Sequence, residues 1–545
     1  MQDIQRVEKW DVFEVTLKGK SEGNPFTDYM IKGRFRGEQE SLEVEGFYDG
    51  NGSYQVRFMP SYEGRYTYEI EGDFQNGETE QKKLRGEFEV FAAAGENHGP
   101  VRVRDTYYLG YEDGTPYYSI GTTCYAWVHQ ENRLQEQTLQ TLKETAFNKI
   151  RFCIFPKYYP YNRKEPLTYP YVRGEGEGLD PRLCEMEEEK SAMRREPTET
   201  DTAFRYDYFN VEHFKRFDLR IRQLRDMGIE ADIILMHPYD RWGMNRMGRE
   251  CCELYVRYVA ARFSAYRNVW WSLANEYDLI STKTVEDWER YAAILCEKDP
   301  YQHLRSIHNC ARYYDHTRPW VTHCSLQRID IYRSVEYTDR YLRKYQKPVV
   351  WDEISYEGNL EIGWGNTSPK ELVRRFWEAF LRGGHAGHGE TYLDENDVLW
   401  WSHGGILKGE SAARLNFLAN ICKETPGHYL KHAEGMFDEI VGIAEKEEKA
   451  FGRRWLYDSE GCPYGAEEFG GREDMNTPCG YEIHYYGIGR PSSRTFFLPE
   501  ESEYEIDVID TWEMTVTSLG RRKGTTKVDL PAKEYMAIRL KRVDI

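Results

Sequence analysis

The stretch NVWWSLANEYD, Asn268 to Asp278, passes from an apolar run into a polar cluster that contains Asn275 and Glu276. A short apolar run bounded by polar residues is typical of a strand buried on both faces. A second stretch, KPVVWDEIS at 347–355, has the same form and reaches Asp352 and Glu353 where its apolar part ends. The fold therefore depends on whether the rest of the chain supplies a barrel that brings the two strand ends together.

Apolar runs of this kind recur through the middle of the chain, with helical patterns between most of them. Eight strands with intervening helices over roughly 320 residues predict a (β/α)8 barrel with insertions. An open doubly wound sheet is the competing fold, but no G-x-G-x-x-G turn follows the first strand. The predicted strands are 116–127, 147–156, 229–238, 268–275, 304–309, 320–326, 347–355 and 385–393; the clearest helices are 131–146, 212–228, 250–266 and 369–384.

The two ends of the chain have a different texture from the middle. Residues 1–92 alternate apolar and polar side chains between Gly and Asn-Gly turns, which predicts a β-sandwich. Residues 92–103 are interpreted as a linker, 104–434 as the barrel and 435–545 as a second sandwich. The insertion at 157–205 is rich in Tyr and Pro and then strongly charged. It is expected to form a lid or pocket wall over the barrel, or else a solvated loop.

The composition of the 545 residues restricts the class of ligand. Aromatic residues make up 15% of the chain, with 42 Tyr and 14 Trp, and rings with a polar edge suit sugars, although Tyr-rich sandwiches produce the same statistic. The formal net charge of −19 argues against nucleic acid, because phosphate contacts need clustered Lys and Arg. A carbohydrate partner is expected, and the oligomeric state is left open.

The sequence has features expected of a cytoplasmic protein. It shows neither a long apolar run nor a basic segment followed by an apolar one, so we expect no membrane span and no signal peptide, unless a leader was trimmed. Its eleven cysteines lack paired C-x-x-C spacing and are expected to be buried and reduced.

Glu276 and Glu353 form the candidate catalytic pair. In a (β/α)8 barrel, catalytic groups lie at the carboxyl ends of the strands, and these two residues follow the fourth and seventh strands. Two carboxyl groups that face each other across the barrel mouth suit a retaining glycosidase, in which one protonates the leaving oxygen and the other attacks the anomeric carbon. Loop carboxylates held in salt bridges are the alternative interpretation.

These motifs resemble a known clan of enzymes. SLANEYD and PVVWDEIS are similar to the acid/base and nucleophile strands of the large clan of retaining glycoside hydrolases with glutamates on strands four and seven. DGTPYYSIGTTCYAW, FNKIRFCIFP, FDLRIRQLRDMGIEADIILMHP and NVWWSLANEYD resemble the apiosidase-like branch of that clan. The N-terminal region resembles the immunoglobulin-like sandwich that often precedes such barrels. The resemblance covers nearly the whole chain but does not identify the sugar.

The resemblance implies a role for four residues. Glu276 would be the general acid/base, Glu353 the nucleophile, and Asn275 a hydrogen-bond partner of the sugar 2-hydroxyl. Arg151 would keep the nucleophile ionised, since an adjacent guanidinium lowers the pKa of a carboxyl group. The clan usually supplies a Tyr to the nucleophile from the sixth strand, and VTHCSLQ has none at that place.

The acid/base needs a raised pKa, which apolar walls and the nearby nucleophile would provide. Trp270 and Trp271 are candidates for that wall, although only one of them can point into the barrel.

Further side chains at strand ends are candidate substrate contacts. His237, His308 and His323 fall at the ends of the third, fifth and sixth strands, where a structural histidine is the alternative for each. Trp127 ends the first predicted strand and is expected to contact the substrate. Trp400 and Trp401 follow the eighth strand as stacking candidates, with a core role expected for one of them.

His385, His388 and Glu390 on the eighth strand invite a metal interpretation. His385 points away from the other two on a strand, and no H-E-x-x-H helix accompanies them. We therefore expect no metal and no cofactor, and we expect Glu390 to accept hydrogen bonds from sugar hydroxyls.

The leading hypothesis is a retaining, exo-acting O-glycosyl hydrolase. It would act on a β-linked, or equivalently configured furanosidic, sugar of a plant-type glycan or glycoconjugate. The exo preference rests on the long Tyr-rich insertion, which would build a pocket. A non-catalytic carbohydrate-binding barrel is the alternative, and an inverting enzyme is another, which a carboxyl separation of ~6.5–9.5 Å would favour.

Overall fold

The computed structural model describes residues 4–76, 79–174, 204–328, 335–394, 399–435, 439–444, 450–457, 463–471 and 478–543. Most of the predicted lid, residues 175–203, lies outside these ranges. Within them, no helix combines the length and apolar character needed to cross a membrane.

The N-terminal region forms a mostly antiparallel, eight-stranded sheet around its own apolar core. Alternate residues of its strands are buried, as in Ile31–Arg36, where Ile31, Gly33 and Phe35 face inward. The strands are β1 (Gln5–Glu8), β2 (Phe13–Gly19), β3 (Ile31–Arg36), β4 (Ser41–Glu45), β5 (Phe47–Tyr48), β6 (Ser53–Phe58), β7 (Gly64–Asn76) and β8 (Thr79–Phe91).

A small three-stranded sheet follows, made of β9 (Val101–Arg104), β10 (Tyr108–Tyr111) and β11 (Pro116–Tyr117). Val101, Leu109 and Tyr117 of this sheet pack with Trp270 and Leu304 of the barrel. The segment 92–103, interpreted as a linker, therefore ends in a strand, because its Val101 side chain is buried against the barrel floor.

Eight parallel strands build the predicted barrel. Seven neighbouring pairs are hydrogen-bonded, and a parallel bridge between His308 and Ser325 joins the remaining two strands. The (β/α)8 fold class is confirmed. In chain order the barrel strands are β12 (Ile120–Thr123), β13 (Lys149–Cys153), β16 (Glu230–Met236), β17 (Val269–Ala274), β18 (Arg305–Ser306), β19 (Cys324–Gln327), β20 (Val349–Glu353) and β22 (His385–His388).

Two short strand pairs lie at the carboxyl ends of the barrel strands. They are the hairpin of β14 (Tyr171–Arg173) with β15 (Phe204–Phe209), and the parallel pair of β21 (Glu357–Gly358) with β23 (Glu390–Thr391).

Helices surround the barrel and bury apolar faces against it. Thr284 and Asp287 form a capping box at the start of one helix, and Ser368 caps another that begins with Pro369. The four clearest predicted helices are confirmed with slightly shorter bounds. The helices are α1 (Asn132–Lys143), α2 (Val211–Asp226), α3 (Arg249–Phe263), α4 (Val285–Lys298), α5 (Thr338–Tyr345), α6 (Pro369–Leu381), α7 (Trp400–His403) and α8 (Ser411–Glu424).

The C-terminal region is again built of β-strands, with a core that includes Ile506, Ile538 and Leu540. One sheet has the order β24-β25-β28-β33-β30-β31, and two strand pairs, β26 with β27 and β29 with β32, accompany it. The strands are β24 (Lys431–Glu434), β25 (Ile440–Ile443), β26 (Ala450–Tyr457), β27 (Pro463–Gly471), β28 (Tyr481–Tyr485), β29 (Ser493–Phe497), β30 (Tyr504–Asp510), β31 (Thr515–Arg522), β32 (Thr525–Asp529) and β33 (Met536–Arg542).

Candidate active site

Glu276 and Glu353 lie at the mouth of the barrel, at the carboxyl ends of β17 and β20. The backbone of Glu276 has φ 50° and ψ 54°, the left-handed region that a non-glycine residue seldom adopts. This conformation ends the strand abruptly and starts the turn Tyr277–Leu279. Backbone strain of this kind persists where the surrounding structure fixes it, and it clusters at functional sites.

The carboxylate of Glu276 is buried and held by three donors. Gln327 donates from Nε2 to Oε1 at 3.0 Å, and Asn275 donates from Nδ2 to Oε2 at 3.1 Å. The hydroxyl of Tyr239 also donates to Oε2. Gln327 ends the sixth barrel strand, so three different strand ends fix the orientation of this one carboxylate.

The carboxylate of Glu353 accepts a hydrogen bond from the hydroxyl of Tyr125, which follows the first barrel strand. Nη1 of Arg151 lies 3.6 Å from the same oxygen, and Nδ1 of His308 lies 4.0 Å from it. Tyr125 therefore takes the place of the tyrosine that the sixth strand lacks.

Glu353 lies in an environment that raises its pKa. Burial, and next the charge of Glu276, raise the pKa of Glu353 to about 7, although Arg151 and Tyr125 oppose the shift. Arg151 lowers this pKa, but burial outweighs a guanidinium 3.6 Å away, so the net shift is upward.

A hydrogen-bonded path joins the two carboxylates. Arg151 donates from Nη1 to Oδ1 of Asn275 at 2.8 Å and to the hydroxyl of Tyr125 at 3.3 Å. Asn275 in turn donates to Glu276, and Tyr125 donates to Glu353. Arg151 and Asn275 thus lie between the two carboxyl groups, as expected for residues that set their positions.

A buried charge cluster supports this path from below. Nζ of Lys149 lies 2.7 Å from Asp352 and 2.8 Å from Asp232. Burial works against ionisation of Asp352, but Lys149 and Arg151 hold the pKa of this carboxyl group below its ordinary value. Asp352, the other acidic residue of the seventh strand, is therefore a structural partner of Lys149.

Aromatic rings line one side of the cleft. The ring centroid of Trp401 lies 5.1 Å from that of Trp364 and 5.9 Å from that of Tyr159. Tyr161 packs against Trp364 from the described part of the insertion, at 6.3 Å. Trp364 is only partly buried, so this aromatic wall offers a ring face to a sugar.

Two predicted tryptophan contacts lie away from the site. Trp400 is buried and donates from Nε1 to Thr122 at 2.8 Å, so Trp400 is a core residue and Trp401 remains the stacking candidate. Trp127 is fully buried against Phe152, between the barrel and its helices. Its ring points outward from the barrel because the chain turns into the short helix at 127–129 directly after Tyr125.

Trp270 and Trp271 do not line the wall of the acid/base. Trp270 points into the barrel at its amino-terminal end, about 20 Å along the strand from Glu276. There it packs against His323 with ring centroids 5.2 Å apart. Trp271 faces the helices and donates from Nε1 to Asp299 at 3.0 Å.

The three predicted histidines have different positions. His308 lies beside Glu353, as expected. His237 is connected to the site through Tyr239, because its Nδ1 accepts a hydrogen bond from the backbone N–H of that residue. Its Nε2 lies 3.1 Å from the carbonyl oxygen of Phe155. His323 is in the floor of the barrel, because it precedes strand β19 instead of ending it.

Glu390 holds a loop instead of facing the cleft. Its carboxylate accepts hydrogen bonds from the backbone N–H groups of Lys408 at 2.5 Å and Gly409 at 2.8 Å. Glu357 accepts from the next two, Glu410 at 2.8 Å and Ser411 at 3.0 Å. Four successive amides at the start of α8 are thereby satisfied by two buried carboxylates, so a sugar-binding role for Glu390 is not supported.

The same two carboxylates and His388 have potential ligand atoms within 4.8 Å of one another. Their carboxylate oxygens already accept hydrogen bonds from backbone N–H groups at the N-terminus of α8. Both carboxylates therefore have hydrogen-bond partners within the protein.

Sequence reasoning missed Tyr125, Tyr239, Gln327 and Lys157. Each follows or ends a barrel strand, which is the one signal that could have identified them. Their side-chain directions depend on loop conformations that the strand pattern does not determine.

Comparison with known proteins agrees with the site. A family model described as the apiosidase-like catalytic domain matches residues 104–417, and models of the domains of unknown function DUF5060 and DUF5605 match residues 6–73 and 475–541. No curated protein matches the chain.

Solved structures give the same result. A crystal structure of a candidate glycoside hydrolase from Bacteroides vulgatus is 34% identical and covers 99% of this chain and 100% of its own, with a TM-score of 0.83. A glycoside hydrolase of family 5 from the same organism is 14% identical and shows the fold alone, with a TM-score of 0.54 over 82% of this chain and 94% of its own.

The barrel and these matches define the class of protein: the chain is a glycoside hydrolase. More narrowly, it belongs to the apiosidase-like family.

Proposed function

We propose that this protein is a retaining, exo-acting glycosidase that removes a β-linked, or equivalently configured, sugar from a plant-type glycan or glycoconjugate. The observation that carries the proposal is the pair of buried carboxyl groups at the ends of the fourth and seventh strands, which a hydrogen-bonded path through Asn275, Arg151 and Tyr125 joins.

In this mechanism Glu353 attacks the anomeric carbon while Glu276 donates its proton to the leaving oxygen. A glycosyl ester of Glu353 forms, and the aglycone departs with the proton. Water, deprotonated by Glu276, then hydrolyses the ester and releases the sugar with its original anomeric configuration. We assign to Asn275, which contacts Glu276 and Arg151, the hydrogen bond to the 2-hydroxyl that strengthens in the transition state.

The exo preference follows from the aromatic wall. Tyr159 and Tyr161 of the insertion pack against Trp401 and Trp364 across one side of the cleft. A cleft closed on one side accepts a terminal sugar more readily than the middle of a long chain.

A panel of aryl glycosides tests the proposal. β-Galactoside, β-glucoside, β-xyloside, β-glucuronide, arabinofuranoside and apioside are offered to wild type and to Glu276→Ala and Glu353→Ala. Wild type is expected to cleave at least one of them, and each variant is expected to lose activity by several orders of magnitude. Azide should restore turnover of Glu353→Ala and yield a glycosyl azide of inverted configuration. Undiminished activity of Glu353→Ala contradicts the mechanism, and Asp352→Asn serves as a control for general damage to the strand.

A further inference from the structure

Lys157 is a buried lysine at the catalytic centre whose ammonium group forms no ion pair with any of the described residues. Its side chain is 3% exposed, and in the described chain its Nζ forms no ion pair and donates no hydrogen bond. Lys149, eight residues earlier and equally buried, contacts two aspartates. The contrast is informative, because a buried charge is normally paired.

Aromatic rings surround the ammonium group instead of carboxylates. Nζ lies 3.7 Å from the ring centroid of Tyr125, 4.4 Å from those of Tyr239 and Trp401, and 5.7 Å from that of Tyr159. Cation–π contacts of this kind attract the ammonium group, but they do not supply an acceptor for its three N–H donors. Nζ is not fully enclosed by protein atoms, so it remains accessible from the cleft.

The ammonium group of Lys157 lies beside the two tyrosines that contact the catalytic carboxylates. Tyr125 and Tyr239, the two closest tyrosine rings, are the residues whose hydroxyls donate to Glu353 and Glu276. Lys157 therefore borders the space in which the sugar undergoing cleavage must lie. Burial lowers the pKa of Lys157 to about 8, with the two catalytic carboxylates among the groups that oppose the shift, so the group is still charged at neutral pH.

We propose that Lys157 and its four rings bind a carboxylate on the sugar that is cleaved, so that the substrate is a glycoside of a uronic acid. This inference rests on the proposed function, because it assigns the sugar class of the same site. A sugar hydroxyl would accept a hydrogen bond from the ammonium group but would not pair with its charge. Among the three buried cations described at the site, Arg151 and Lys149 already have acidic partners within 4 Å, so Lys157 is the one that a substrate carboxylate can pair with.

The test uses aryl glycosides that differ only at C5. The 4-nitrophenyl β-D-xyloside, β-D-glucoside and β-D-glucuronide carry hydrogen, hydroxymethyl and carboxylate there, and the α-L-arabinoside, β-D-galactoside and β-D-galacturonide form a second such series. Wild type is expected to cleave one of the two uronides with a kcat/KM about 100-fold above its neutral counterparts, the size of effect typical of a buried charge pair.

Lys157→Met is expected to lower the kcat/KM for that uronide by about 100-fold and to change the rates of neutral glycosides only a few-fold. Lys215→Met, on the exposed face of α2, is the matched control and should behave as wild type. A thermal melt shows whether Lys157→Met is folded, and Lys157→Arg, which keeps the charge, should retain part of the preference.

Two results would overturn the inference. One is a wild type that prefers neutral glycosides; the other is a Lys157→Met variant that loses uronides and neutral glycosides equally. In both cases the proposed function survives if hydrolysis still requires Glu353. If no glycoside is cleaved, the proposed function fails for these sugars, and calorimetry with free glucuronate and galacturonate decides this inference separately: binding that Lys157→Met abolishes supports it, and no binding rejects it.

Discussion

At the scale of single residues, the two catalytic carboxyl groups differ in how many hydrogen-bond donors contact them. Glu276 accepts from Tyr239, Gln327 and Asn275, whereas Glu353 accepts from Tyr125 and has Arg151 at 3.6 Å. Burial and the nearby charge of Glu276 together raise the pKa of Glu353 to about 7, against the opposing effects of Arg151 and Tyr125.

The raised pKa of Glu353 predicts a kcat/KM that depends on pH near neutrality. A nucleophile must be ionised to attack, and Glu353 takes up a proton as the pH falls through about 7. We expect kcat/KM to rise with pH from the acid side through about pH 7. Initial rates from pH 4 to 10 measure this profile. A kcat/KM that is already maximal at pH 5 would contradict it.

Tyr125→Phe removes the hydroxyl that donates to Glu353. A hydrogen bond to a charged group contributes about 1.5–3 kcal/mol, so we expect kcat/KM to fall by about 10- to 100-fold. Because this bond lowers the pKa of Glu353, its loss should also shift the pH profile upward. Tyr107→Phe removes an exposed hydroxyl bonded to Gln346 and should leave both quantities unchanged. An unaltered profile in Tyr125→Phe would show that Tyr125 has no electrostatic role.

Lys149→Met leaves Asp232 and Asp352 without their shared cation inside the barrel. Removing one partner of a buried ion pair costs about 3–5 kcal/mol of unfolding free energy. We expect a clear drop in the thermal midpoint, measured by calorimetry. Lys83→Met breaks an exposed pair with Glu71 on the N-terminal sheet and should cost at most about 1 kcal/mol. Equal midpoints for the two variants would refute the structural role of Lys149.

The residue scale is also where sequence reasoning reached its limit. Glu276 and Glu353 could be identified because each ends an apolar strand. Tyr239 and Lys157 lie three and four residues beyond their strands, in loops whose backbone no periodic pattern specifies. The pKa of Glu353 depends on burial, which the sequence does not give.

At the scale of secondary-structure elements, barrel strands such as β16 and β17 were predictable because each is apolar over several residues. The floor sheet was not, since β11 has only two residues, Pro116 and Tyr117, too few to show an alternation. The placement of His323 failed for a different reason: strand β19 begins at Cys324, so His323 lies before the strand instead of at its carboxyl end.

The carboxylates of Glu357 and Glu390 join the last two strands of the barrel to helix α8. The contact is close, because a Cβ atom at Gly409 would lie 2.4 Å from a carboxylate oxygen of Glu357. Glu357→Ala should leave the backbone N–H groups of Glu410 and Ser411 without an acceptor. We expect faster amide hydrogen exchange in the peptide that covers 408–411, with Glu361→Ala on the surface as control. Unchanged exchange there would mean that water replaces the carboxylate.

At the scale of the whole molecule, buried charges join the N-terminal sheet to the barrel. Arg57 of β6 donates from Nη1 to Asp218 at 2.6 Å and to the backbone oxygen of Arg262 at 2.7 Å. Arg262 also contacts Asp49 at 2.9 Å, so charges from both regions compensate each other. The N-terminal region is therefore a brace for helices α2 and α3.

Arg57→Met should weaken this brace and lower the thermal midpoint, because Asp218 then has one cation instead of two. The expected cost is about 3 kcal/mol, as for other broken buried pairs. Arg65→Met, which breaks an exposed pair with Glu87 in the same sheet, is the matched control. If the two regions form one cooperative unit, both melt in a single calorimetric transition in wild type. Two separate transitions would contradict the brace.

The central claim of this account is that Glu353 forms a covalent bond to the sugar. The most direct measurement is mass spectrometry of the protein after incubation with a 2-deoxy-2-fluoro glycosyl fluoride of the best-cleaved sugar, which slows breakdown of the intermediate. The account predicts one added sugar mass, located by peptide mapping on Glu353 and absent from Glu353→Ala. Turnover of the parent glycoside with no adduct, or with an adduct on another residue, would contradict it.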